Sequence, residues 1–489
     1  MDLVIAVPKD AAGFNEAMSN VVAGAGYFVA NNIFSRLVTH EIHSDAPSGD
    51  LALHWEVLDG GQRYRFILNP LAHWHDSAPL TSADVAYTHT EALRQGYHAA
   101  GFLRGVEEIR ALDPHTIEYR LSAPHHGFLT QLGNFVATHI LPRHLYQGTD
   151  WRTNPHNLAP VGSGPFRFAE WTPGERVVLE AVLDHWGVQA QVDRLILRVV
   201  PDRDEAVRLV ARGEAHAVPQ DVLTYGRLGL LEGSQHAQVA RVPGPVLAIL
   251  GFNYDKAPWR SRAARLGAAM AIDRPRLAAL CEPGWSHELR NYLPPSVDWA
   301  FAPDALAPAH DPVQAARLLR DAYLPVHDPL KLVHLDVFDS HRPIAAVVAE
   351  SLRRAGAAVE IETVDSARWA ETVRERAFDL AIMGGNMSPD PDIMYSRFTS
   401  GGDRNYWDLR DPQVDALFDE GRAQAGRAAR GAAYRRLQHR FAEQISWVPL
   451  VWCALYFARS TQLFGWSDQL EYRVPFWHWG RVRPLATTP

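Results

Sequence analysis

Apolar and polar positions change rhythm along the chain, and each change predicts an element. Asp2 is followed by an unbroken apolar run up to Pro8, the length of a buried strand. Residues 51–70 alternate on both sides of Gly60 and Gly61, which predicts two short strands around a turn. A helix is predicted to begin at Ser82–Asp84, with Thr81 or Ser82 as its N-cap. Residues 194–218 read as a strand over Leu195–Val200, a break at Pro201, a helix over Asp204–Arg212 and a stop at Gly213.

The clearest stretch is 311–385. Asp311 caps a helix that opens at Pro312 and runs to Tyr323. Lys331–Val337 is a strand, Pro343–Ala355 a helix closed by Gly356, and Ala358–Val364 a strand. Ser366–Ala377 is a helix and Asp379–Met383 another strand. Strand and helix alternating through short joints require crossovers and an at least partly parallel sheet, so the fold class is α/β. In such sheets ligands bind beyond the carboxyl ends of the strands. That rule selects Phe338–Arg342 and Gly384–Asp390 as candidate ligand loops. Glycines there admit a ligand to backbone amides, and Arg342 can fork onto a carboxylate or phosphate.

Composition narrows the class. A chain of 489 residues, 47 % of them apolar, has material for several cores, about three at roughly 150 residues per domain. The net charge of −8 carries no basic excess, so nucleic acid is not an expected partner. The longest apolar runs, such as Val448–Leu455, fall short of the roughly 18 residues of a spanning helix. No leader pattern precedes the first strand: the expectation is either a cytosolic chain or one whose leader has been replaced by Met1. Cys281 and Cys453 form no metal-type cluster, and their spacing leaves open whether they meet.

Catalytic signatures are few. The chain has no G-x-S-x-G, P-loop or G-x-G-x-x-G. His40 and His43 stand three apart, not four, so a solvated segment is preferred to a zinc site. His73 and His75 alternate across a strand and read as a turn-rim pair in preference to metal ligands, while the adjacent His125 and His126 do not converge. Gly162–Pro165 is too short for a phosphate loop and reads as a tight turn before a strand. Asp390 and Asp392 suit an acid/base pair or a cation, or more simply a loop capping the next helix. The aromatic group Tyr472, Phe476, Trp477 and Trp479 reads as packing. The balance points to binding and away from turnover.

Taken in order, several segments resemble the extracytoplasmic solute-binding proteins of ABC importers, in the peptide/nickel-binding family (family 5). They are Leu51–Val57, Trp74–Val85 (W-H-D-S-A-P-L-T-S-A-D-V), Gly162–Phe166 before Trp171, and Leu183–Gly187. Phe252 and Asn253, Arg265 with Ala271–Arg274, Pro389–Asp392, Asn405–Trp407 and Asp411–Leu417 follow. The resemblance implies a two-lobed periplasmic-binding-protein fold of type II, with three subdomains. Lobe I would comprise 1–40, 160–248 and 459–489, with an inserted subdomain at 41–159; lobe II would be 249–458. Segments near Leu247–Asn253 and Val448–Tyr456 would cross between them as a hinge. The implied protein is a periplasmic monomer, not an enzyme, with no cofactor and no metal. It would enclose one small organic ligand between its lobes and deliver it to a permease in the membrane.

The resemblance also assigns residues. Peptide binders of this family pair the peptide's amino group with an aspartate where Met387 stands here, and a thioether cannot neutralise an ammonium. Asp390 is the substitute on the same loop, which Gly385 and Asn386 complete. Arg342 is similar to an arginine that holds a ligand carboxylate, Asn405 matches an asparagine lining the cleft, and Arg404 offers a second anion contact. Asn20 and Tyr27 follow the first strand, where relatives place variable contacts. Tyr254 leaves a crossing segment, Phe338 and Trp407 are stacking candidates, and His341 is the residue that would reach a metal chelate. The expected ligand is anionic: a short peptide, a modified amino acid or an opine-like conjugate. Rival expectations are an enzyme on this scaffold using Asp339, His341 and Asp390, a nickel-chelate or haem binder, and a cytosolic ligand sensor.

Overall fold

Leu3, Ile5, Ala6 and Val7 are buried in strand Asp2–Val7, an edge strand of its sheet whose outer side is bridged at Ile5 to Ala217. It runs parallel to Arg194–Val199, with Asp2 opposite Arg194 and Val7 opposite Val199. The computed structural model describes residues 1–18, 24–40, 46–133, 138–219, 222–280, 290–295, 297–322, 328–336, 340–386, 390–464 and 482–484. Asn20, Phe338, Asp339, Met387, His43, Cys281 and the group from Tyr472 to Trp479 lie outside them. The chain forms two compact units, Met1–Arg241 with Tyr456–Pro489, and Val242–Leu455. Both boundaries fall inside long strands, Ala237–Phe252 and Val448–Ser460. Among the described residues no helix is long and apolar enough to cross a membrane.

The first unit contains a four-stranded sheet in the order Asp2–Val7, Arg194–Val199, Arg176–Ala181 and Phe166–Thr172. A second, antiparallel sheet joins Ala52–Leu58, Arg63–Leu68, Thr116–Leu121 and Val106–Asp113. Its first hairpin turns at Asp59–Gly61, where Gly60 and Gly61 both take positive φ (62° and 93°). Helix Ser82–Gln95 starts with a capping box: the Thr81 amide donates to the Asp84 carboxylate at 2.9 Å, and the Thr81 side chain accepts in return. Gly162–Gly164 does more than turn the chain. The amides of Ser163 and Gly164 both donate to the Ile33 carbonyl at 2.8 Å, closing helix Ala25–Ile33.

In the second unit a five-stranded sheet runs Val359–Val364, Leu330–Leu335, Leu380–Asn386, Ala237–Phe252 and Val448–Ser460. The first three strands are parallel, and Leu380–Asn386 pairs antiparallel with Ala237–Phe252. Alternate residues feed separate cores. Leu250, Phe252, Leu332, Leu380 and Ile382 pack with Ile344, Val348 and Leu352 of helix His341–Arg354. Ile249, Val333 and Ala381 pack with Trp369, Phe398, Trp407, Phe441 and Trp447. Both faces are covered, which is why these strands read as continuous apolar runs. The helix expected from Pro343 begins two residues earlier, at His341. Proline is tolerated in a first helical turn, so His341 and Arg342 belong to the helix and not to the preceding loop.

A Cβ at Gly162 would stand 1.8 Å from the Ile33 carbonyl oxygen, and one at Gly164 2.5 Å from that of Asn32. Gly164→Ala should therefore cost about 1–3 kcal/mol through overpacking of this backbone contact. Urea denaturation should show a lower midpoint with an unchanged slope.

Candidate functional site

The parallel strands Leu330–Leu335, Val359–Val364 and Leu380–Asn386 share their carboxyl ends, and the segments leaving them carry most of the candidate residues. Gly385 and Asn386 are the last two residues of their strand, opposite Leu247 and Val246. After them Asp390 caps the turn Pro391–Met394 by accepting from the Asp392 amide at 3.1 Å. Its carboxylate also accepts from Arg430 at 2.8 Å, and Asp392 accepts from Arg422 at 2.7 Å. All four side chains are largely buried. Burial alone would lower the Arg430 pKa; Asp390 and Tyr434 beside it raise it instead. The capping reading of this pair thus describes the structure, and Asp390 is committed to Arg430 instead of standing free for a ligand ammonium.

Other candidates are also spent on the fold. Asn405 donates to the carbonyls of Thr399 (3.1 Å) and Leu409 (2.8 Å) and accepts from the Leu409 amide (3.0 Å), so its side chain braces the 399–409 loop. Trp407 is 2 % exposed and its ring fills the space beside Gly251, where a Cβ would stand 2.0 Å from it. It is a core wall and not a stacking platform. The Tyr254 hydroxyl donates to the Ser446 carbonyl at 3.1 Å, and its ring carries the Arg265 guanidinium 4.8 Å from the centroid. Burial pushes that phenol up to about 12. Tyr27, in the first unit, is buried edge-on to Phe28.

The described histidines do not converge on a metal. His75 holds the Gly162–Gly164 turn, accepting from the Gly162 amide at 3.2 Å and donating to the Gly164 carbonyl at 2.9 Å. His73 bonds instead to the Leu71 carbonyl at 3.0 Å. His341 is 2 % exposed, and burial followed by the nearby His334 pushes it down to about 3, so it is neutral at physiological pH. Among the described residues there is no cluster of three metal-ligating side chains.

Arg342 and Arg404 complete the candidates read from the sequence. Arg342 is exposed in the first turn of helix His341–Arg354 and pairs with no described residue. Arg404 is half-buried, and burial lowers its pKa. Beside it stands Arg397, which sequence reasoning missed. It is half-buried too, and burial together with Arg404 pushes it down to about 10. Its signal was a lone charge in the otherwise uncharged stretch Ile393–Phe398.

Residues 46–406 match the model for bacterial extracellular solute-binding proteins, family 5, and the chain belongs to that family. It is 22 % identical over 415 residues to the dipeptide-binding protein of Escherichia coli, covering 79 % of this chain and 76 % of that one. Among solved structures it is similar to the oligopeptide-binding protein AppA of Bacillus subtilis in complex with a nonapeptide (TM-score 0.88, 20 % identity, 99 % of each chain). It is also similar to the binding protein AgaA from A. tumefaciens R10 in complex with agropinic acid (TM-score 0.87, 23 % identity, 99 % of each chain).

Breaking one buried pair should be costly. Arg430→Met is expected to destabilise by about 3–5 kcal/mol by stranding Asp390, and adding Asp390→Asn should restore part of that loss in a double-mutant cycle. Acid should act through the buried histidines. Burial holds His89 at about 4 and His341 at about 3, both below the ordinary 6.5. The unfolded chain therefore takes up protons first. This stability is complete above pH 6.5 and is lost as pH falls through 6.5 toward the folded values. Near pH 5 the loss should be about 2 kcal/mol per histidine, and His341→Gln should remove its share from urea midpoints measured across that range.

Proposed function

We propose that this chain is the substrate-binding component of an ABC importer, carrying a small organic acid to a membrane permease without reacting with it. The ligand is a short peptide, a modified amino acid or an opine-like conjugate. The observation that carries this reading is the charge balance at the strand ends. The carboxylates of the Asp390–Asp392 turn are already held by Arg430 and Arg422, whereas Arg342 is exposed with no described partner. A site so arranged favours a ligand's carboxylate over its ammonium. Relatives named for dipeptides and for agropinic acid fall in the same chemical range. Of the acid/base candidates, His341 is buried and neutral and Asp390 is ion-paired, which favours binding over catalysis. The family's extracellular character supports a periplasmic protein.

Native mass spectrometry of the purified protein, followed by denaturing release, tests this directly. A co-purified carboxylate of defined mass is the expected result; conversion of an added metabolite would overturn it. Arg342→Ala should weaken that solute's binding by about 1.5 kcal/mol, or roughly tenfold, because an exposed guanidinium is partly screened. Titration calorimetry reads the change, and an unaltered Kd would remove Arg342 from the site.

A further inference from the structure

Buried or half-buried arginines in the second unit find oxygen. Arg265 donates to the carbonyls of Trp259, Arg260, Gln444 and Ile445. Arg422 and Arg430 meet carboxylates. Arg397 departs from this pattern. Its guanidinium is half-buried yet makes no hydrogen bond or ion pair among the described residues. The nearby groups that act on it electrostatically are Arg404, a like charge, and Tyr406, a neutral phenol.

The backbone holds this group together. Arg397 lies in the single turn Tyr395–Phe398, and the chain folds back so that the Arg404 amide donates to the Ser396 carbonyl at 3.0 Å. Gly402 permits that return, since a Cβ there would stand 2.2 Å from the same carbonyl oxygen. The Tyr406 amide then donates to the Arg404 carbonyl at 2.8 Å, and the Tyr406 ring is fixed edge-on to Trp369 at 6.4 Å. Both guanidiniums act on the Tyr406 hydroxyl. The carboxylate acting on Arg404 is that of Asp403, which is exposed. Two arginines and a phenol are thus gathered by main-chain bonds. A protein that keeps an unpaired, half-buried cation beside a like charge forgoes stability that a neutral side chain would supply, and such conflicts mark binding sites.

We propose that Arg397 and Arg404, assisted by the Tyr406 hydroxyl, form the recognition element for a carboxylate of the transported solute. The assignment rests on the proposed transport function and deepens it. A planar guanidinium pair offers several N–H donors to the two carboxylate oxygens, which a neutral or cationic ligand group would leave unmet.

The test compares wild type with Arg397→Met and Arg397→Lys, using agropinic acid, the dipeptide Met-Leu and succinate as probes in thermal denaturation and calorimetry. At least one carboxylate probe should raise the wild-type Tm and bind measurably. Arg397→Met should lose that response, with affinity down at least tenfold, and Arg397→Lys should fall between. Without probe, the Tm of Arg397→Met should equal or exceed that of wild type by about 1–3 °C, because the substitution removes an unpaired, half-buried charge. A probe response unchanged in Arg397→Met, no response of wild type to any carboxylate, or a lower Tm for probe-free Arg397→Met would each overturn the site. The two readings fail separately. A co-purified solute held equally by Arg397→Met removes the site but leaves transport standing. A carboxylate response that needs Arg397, accompanied by chemical conversion of the probe, keeps the site and removes transport.

Discussion

A guanidinium withdrawn from water must meet oxygen, and the second unit is organised by how its arginines do so. Arg265 reaches the carbonyls of Gln444 and Ile445 at the end of helix Arg427–Gln444 and those of Trp259 and Arg260 in the short helix Ala257–Arg260. One side chain thereby satisfies orphan carbonyls at two helix ends. Arg274 donates to the carbonyls of Ala269, in the last turn of helix Arg262–Ala271, and of Pro308 in a loop. Arg430 and Arg422 fix the Asp390–Asp392 turn where the chain re-enters helix after strand Leu380–Asn386. Desolvation opposes each of these charges, so each partner is tightly constrained. The turn that carries Arg397 inherits its position from them.

The sheet sets the direction of that turn. Three parallel strands end together, and both of their faces are covered by apolar cores, so the chain leaves on the same side each time. What varies is how each exit is stiffened. Helix His341–Arg354 starts early and presents Arg342 to solvent, whereas the exit after Leu380–Asn386 is clamped by two ion pairs and the bonds of Asn405. The first exit suits a side chain that adapts to a ligand. The second suits one held in place before a ligand arrives, a condition that lowers the ordering cost of binding.

The elements were legible where a single period or cap dominated. The alternation at 51–70, the Thr81 cap, Gly356 after its helix and the alternating pattern from Asp311 to Met383 all correspond to elements within a few residues. The site was less legible, and for a common reason. Residue type states what a side chain is able to do and not whether the fold has already used it. Asn405, Tyr254, Trp407 and Asp390 have the chemistry of ligand contacts, but their donors, acceptors or faces are consumed locally. Arg397 was overlooked because one arginine in an apolar run looks like a solvated helix face. Its significance arises from Arg404, seven residues on, being folded back against the same turn by a main-chain bond.

Abundance is a poor guide to function in this chain. All but three of its 48 lysines and arginines are arginine, and many form solvent-accessible pairs such as Arg94 with Glu91 or Arg354 with Glu350. Pairs of that kind contribute little, because water already solvates both ions. Failure to pair under partial burial carries more information. Arg397 keeps its charge although burial and Arg404 both oppose it. A ligand oxyanion at that position would supply the missing oxygen and also offset the repulsion between the two guanidiniums. The repulsion persists in the complex, but the attraction of the anion to both cations outweighs it. Affinity then follows from a defect in the empty protein that the ligand repairs, and a solute without an acid group has no such defect to repair.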